Sequence, residues 1–168
     1  MFAKDQIWYI RIIPLGILVT SVAALCGTFA LQFGFDLIPC ILCLCQRLLY
    51  VVTAILAAIA LCLSPLRRRV LVALCGVTFG MNTIVAFYHL GTENHWWSTP
   101  ICVASAEPVL SSLSDLQSAL EHSYKISCDE VQWSLFGLSL SGYNLPASLG
   151  LATFCLVAAK RKTWWRIS

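Results

Sequence analysis

The stretch Pro39 to Leu63, PCILCLCQRLLYVVTAILAAIALCL, carries one charge, Arg47, inside an otherwise apolar run. A run of this length and character is read as a membrane-spanning helix, here over about 42–63. Two similar runs flank it. Ile12 to about Phe33 makes a helix roughly 33 Å long, enough to cross a hydrocarbon core of about 30 Å. Val70 to about His89 makes another, with Gly76 and Gly80 spaced so that a neighbouring helix can come close. A fourth span is expected over about 145–162, built on Pro146 to Ala159. Asn144 can cap it, and Lys160 and Lys162 can snorkel from its far end. The expected fold is an all-α membrane protein. It is a four-transmembrane-helix bundle, one domain over 1–168, with outer loops at 34–41 and 90–144.

Composition agrees with that reading. Of 168 residues, 59% are apolar and 11% charged, against about 25% charged in soluble domains. So few charges cannot cover a water-soluble surface, and disorder and nucleic-acid binding fall with the soluble globule. Basic residues then set orientation, because Lys and Arg near span ends stay on the cytoplasmic side. Lys4 and Arg11 precede span one, Arg67, Arg68 and Arg69 close the second helix and join it to the third, and Lys160, Arg161, Lys162 and Arg166 follow span four. Both termini are therefore expected in the cytoplasm, with the long loop, rich in acidic residues, facing the other way. The pairs Trp8–Tyr9, Trp96–Trp97 and Trp164–Trp165 stand near span ends, as aromatic belts do. A cleaved signal peptide ending near Thr28 to Ala30 is the rival for the first run, which is longer than such segments usually are. Within the long loop Val109, Leu110, Leu113, Leu116 and Leu120 recur at helical spacing. That spacing predicts a short amphipathic helix, lying either in the membrane interface or on the loop's own core.

The chemistry begins where span two begins. A helix N-terminus and a nearby positive charge favour thiolate, and a CxxC pair can close to a disulfide. At 100° per residue Cys40, Cys43 and Arg47 share a helix face, and Cys45 points nearly opposite. Zinc is the other common use of CxxC, but it needs about four N or S ligands. No second CxxC or His pair at ligand spacing is present, although His89 and His95 could contribute. Arg47 is costly inside a span unless it serves a function or snorkels to the interface. Cys102 and Cys128 lie in the outer loop, where a disulfide is the default. It could be a static staple, or it could exchange with the membrane pair. Cys26, Cys62, Cys75 and Cys155 read as packing residues.

Four spans, a PCxLCxxxR motif heading span two and a two-cysteine acidic loop together resemble the bacterial DsbB family over nearly the whole chain. That family reoxidises the thioredoxin-like periplasmic oxidase DsbA and passes electrons to quinone. The resemblance implies that Cys40 and Cys43 are the membrane redox pair. It implies too that Cys102 is attacked by the DsbA-like partner and that Cys128 is its mate. Arg47 matches the family arginine that supports the thiolate and the quinone, ubiquinone or menaquinone. Gln32 and His89 look like the polar residues beside that quinone. No metal is required by this reading. Cys45 departs from the family, where an aromatic residue is common. Two other classes share part of this pattern: a vitamin K epoxide reductase-like enzyme, whose CxxC belongs to a late span, and a metal-handling membrane protein using Cys40, Cys43, Cys45 and His89.

Overall fold

The computed structural model describes residues 2–37, 39–97, 128, 131, 133–161 and 165. Four helices dominate: α1 (Phe2–Gly34), α2 (Ile41–Cys62), α3 (Pro65–Glu93) and α4 (Leu140–Lys160). All four are long and apolar enough to cross a membrane. The chain is a four-helix, multi-pass membrane protein. A two-stranded antiparallel ribbon, β1 (Ser134–Leu135) with β2 (Leu138–Ser139), leads into α4. Its two-residue turn, Phe136-Gly137, has positive φ at both positions, the turn that suits the twist of a tight hairpin.

The packing is that of a protein in lipid. Large side chains such as Ile55, Leu48 and Ile84 face outward, while Ala57, Ala60, Cys75, Ala86, Cys155 and Ala158 are fully or almost fully buried between helices. Small residues let backbones approach where lipid removes the hydrophobic drive between helices. A Cβ on Gly76 would sit 3.0 Å from Leu156, so α3 and α4 meet there. Gly80 has open space instead. Cys75 and Cys155 pack in the core as expected, but Cys26 and Cys62 face outward.

The expected starts of spans three and four move earlier in the chain. Span three begins at Pro65, not Val70, because Ser64 occupies the N-cap position and Pro65 opens the helix; proline's missing N–H costs nothing there. Arg67, Arg68 and Arg69 therefore lie in the first turns of α3. They do not close α2, which ends at Cys62. Arg68 is buried and donates to the carbonyls of Ala60, Leu61 and Leu63 at the end of α2. It also reaches the Ile10 carbonyl of α1, which the ring of Pro14 leaves without its helical N–H donor. Arg69 donates to Ala159 of α4 at 2.6 Å. Charges counted for topology thus also tie all four helices at the end where both termini lie. Span four starts at Leu140, because the Ser139 hydroxyl accepts the Gly142 N–H. Asn144 is consequently an interior residue, not a cap. The amphipathic segment 109–120 and Trp164 lie outside the described residues. Trp165 is buried and donates to the Ala158 carbonyl, so it packs on the bundle.

Candidate active site

At the opposite end Pro39 stops the chain from entering α2 early, and Cys40 becomes the N-cap. Its sulfur accepts the Cys43 N–H at 3.3 Å. One helical turn brings the two thiols into hydrogen-bond contact at 3.0 Å, both free. Cys45 is exposed on another face of the helix. His89 Nε2 lies 3.5 Å from Cys40 Sγ. The hydrogen bond with the Cys43 thiol, followed by His89, outweighs burial and lowers the Cys40 thiol from 9.0 to about 4. Cys40 stands one residue outside the span, so this charge sits at the membrane edge.

The sign of that shift gives a pH test. A thiol titrating near 4 is already thiolate at neutral pH, and only the thiolate alkylates. In the reduced protein, Cys40 modification by iodoacetamide should stay level from about pH 8 to about pH 5 and fall only as pH drops through about 4. An unperturbed thiol, near 8.5, would instead lose about tenfold per unit over the neutral range. Peptide mass spectrometry of Cys40 distinguishes the two profiles.

His89 is held from behind by a chain of side chains on three helices. Gln46 Nε2 meets His89 Nδ1 at 3.4 Å, and Asn144 Nδ2 donates to Gln46 Oε1 at 3.0 Å. Asn144 Oδ1 accepts from Tyr50 Oη at 2.6 Å and from Ser148 Oγ at 3.1 Å. Asn82 Nδ2 donates to Ser148 at 2.7 Å. An amide donating to Nδ1 leaves the ring proton on Nε2, the nitrogen that faces Cys40. Beyond His89, Glu93 Oε1 lies 3.6 Å from Nε2, and its other oxygen accepts from Ser139 and Ser141.

Arg47 points the other way, toward α1. It donates to Gln32 Oε1 and to the Thr28 carbonyl, and its guanidinium lies 5.0 Å from the Phe29 ring centre. Its charge is therefore satisfied inside the bundle. Between α1 and the thiols opens a mostly apolar cavity of about 630 Å³. Cys40, Cys43, Gln32, Arg47 and His89 all line it, so five of the seven residues singled out from sequence meet at one place. A sixth, Cys128, is buried, disulfide-bonded and packed against Cys40. Cys102 lies outside the described residues.

Sequence reading missed Gln46, Tyr50, Asn82, Glu93 and Asn144. A signal existed: Gln46, Tyr50 and Thr53 fall at helical spacing within an apolar span, and Asn144 and Ser148 one turn apart. Polar side chains in a span are functional candidates by default.

Comparison with known proteins agrees with this geometry. The family described as "Disulfide bond formation protein DsbB" matches residues 10–158. "Disulfide bond formation protein B 2" of Pseudomonas savastanoi pv. phaseolicola is 37% identical over 136 residues, covering 77% of each chain. "Disulfide bond formation protein B" of Hahella chejuensis is 28% identical over 151 residues, covering 84% of this chain and 89% of its own. No solved structure matches. A dithiol at the mouth of a membrane cavity, a disulfide beside it and a family match over most of the length lead to one assignment: the chain belongs to the DsbB family of membrane disulfide bond formation proteins.

Proposed function

We propose that this protein reoxidises a DsbA-like periplasmic dithiol protein and passes the electrons to a membrane quinone. One observation carries the reading. Disulfide-bonded Cys128 packs on Cys40, whose neighbour Cys43 lines the apolar cavity. In this reading both termini are cytoplasmic and the thiols face the periplasm of the inner membrane.

The exchange balances as follows. A partner thiolate attacks Cys102 of a Cys102–Cys128 disulfide and releases the Cys128 thiolate. Cys128 attacks Cys40 of the oxidised membrane pair, releasing Cys43 as thiolate. The partner's second thiolate closes the partner's disulfide and frees Cys102, which then attacks Cys128 and frees Cys40. The loop disulfide is restored and two electrons rest on Cys40 and Cys43. In that end state the loop disulfide is intact and Cys40 and Cys43 are both free thiols, and a disulfide-bonded Cys128 beside two free thiols supports the reading.

The cavity fits a quinone on its own terms. Its volume lies within the range of about 300–1,000 Å³ usual for ligand sites, with apolar walls and a few polar groups. Arg47 and Gln32 at one side and His89 at the other would hold the ring oxygens. When bound there, a quinone supplies a two-electron, two-proton acceptor. Arg47 holds positive charge beside Cys43, and His89 with Glu93 offers a path for the proton at Cys40.

Trapping tests the partner half of the proposal. A DsbA-like protein lacking its own resolving cysteine should form a mixed disulfide with this chain that maps to Cys102 and vanishes in Cys102→Ser. A bond mapped to Cys40 would overturn the order, and no adduct under any redox condition would return the loop disulfide to a static role.

A further inference from the structure

Sequence spacing alone leaves CxxC one or two ligands short of a metal site. The fold supplies one. Cys40 Sγ, Cys43 Sγ and His89 Nε2 all lie within 4.8 Å of one another, buried or half-buried. A tetrahedral ion with Zn–S of about 2.3 Å and Zn–N of about 2.0 Å places S and N about 3.5 Å apart and two sulfurs about 3.8 Å apart. Cys40 Sγ and His89 Nε2 already stand 3.5 Å apart. The sulfurs, at 3.0 Å, need only open by under about 1 Å, within reach of side-chain torsions.

We infer that the reduced Cys40–Cys43 pair and His89 form a redox-gated binding site for a soft divalent ion of the Zn²⁺ type. Binding forms two metal–thiolate bonds and one metal–imidazole bond, and the thiol protons leave to solvent. Two thiolates neutralise the ion, which suits the edge of a membrane. Glu93 stands 3.6 Å from the ligating nitrogen, beside the open fourth position. Oxidation to the Cys40–Cys43 disulfide removes both thiolates, so the site exists in one redox state only.

The surroundings of His89 allow the ligation. An ion on Nε2 puts the ring proton on Nδ1, which then needs an acceptor. The Gln46 amide, turned over, presents Oε1 there. Asn144 can reverse with it, because Tyr50 and Ser148 are hydroxyls that both donate and accept, and Asn82, which donates Nδ2 to Asn144 Oδ1 at 3.4 Å, can turn over as well to present its buried Oδ1, which has no partner among the described residues. The polar chain behind His89 therefore serves either tautomer. The consequence for turnover rests on the electron path proposed above, since an ion held between the sulfurs blocks their oxidation; binding itself does not depend on it.

The full chain in lipid nanodiscs, reduced and freed of reductant without air, is titrated with Zn²⁺ against a competing chelator, and in parallel with Co²⁺. One Zn²⁺ per chain is expected beyond what the Cys40→Ser, Cys43→Ser double variant retains, and Co²⁺ should show a thiolate charge-transfer band. Oxidising the unmodified chain should release the ion. Gln46→Leu should weaken binding roughly tenfold through His89, and His89→Gln by at least as much. Equal uptake by the double variant or the oxidised chain, or unchanged affinity in His89→Gln, would overturn the site. Zn²⁺ should also slow turnover and chelator restore it. Tight binding with unimpeded turnover would leave the site standing and sink the electron path.

Discussion

Cys43→Ser should reduce partner oxidation to the uncatalysed rate, while Cys45→Ser leaves it almost unchanged. The two thiols are two residues apart in sequence but face different surroundings. Cys43 contacts Cys40 at 3.0 Å and lines the cavity, whereas Cys45 is exposed on the outer surface of α2. A serine at position 43 cannot close the disulfide, so electrons arriving at Cys40 have no exit. Serine at 45 changes only a lipid-facing group. Turnover of a reduced DsbA-like substrate, followed by its loss of free thiols, separates the two variants. Equal damage from both would mean that the active pair is misassigned.

Arg47→Met should lower quinone-dependent turnover about a hundredfold, the scale of losing one preorganised electrostatic group from an active site. Methionine keeps the length and apolar bulk of the side chain but takes away the charge facing Gln32, Thr28 and the cavity. The variant should still insert with four spans, since the small-residue contacts of α2, α3 and α4 do not involve Arg47. Protease-accessible tags at both ends check insertion independently of activity. Near-normal turnover at saturating quinone would show that Arg47 merely ties α1 to α2.

How much of this was legible before the structure follows from what kind of information each feature needs. Apolar runs report spans directly, so the four helices were readable. The helix starts were less so. Ser64-Pro65 is a start signal that the basic cluster behind it obscured, because those arginines were counted as loop charges. In α4, Asn144 looked like a cap because Pro146 follows it, yet a proline can sit inside a membrane helix where neighbours satisfy the freed carbonyl. At the site, Cys40, Cys43 and Arg47 stand out by chemistry and spacing along one helix. Gln46, Glu93 and Asn144 matter through contacts across helices, and these depend on how each helix is rotated about its axis. A single sequence states that rotation only weakly, through which polar residues share a stripe.

The central claim is that electrons leave the partner dithiol through Cys128, Cys40 and Cys43 and end on quinone. Its most direct test is an anaerobic stoichiometry in nanodiscs, counting partner disulfide formed and quinone consumed in the same reaction. The expected result is equal amounts of each, both lost together in Cys40→Ser, Cys43→Ser and Cys128→Ser. Partner disulfide accumulating catalytically with no quinone consumed, or quinone consumption that persists in Cys43→Ser, would contradict it.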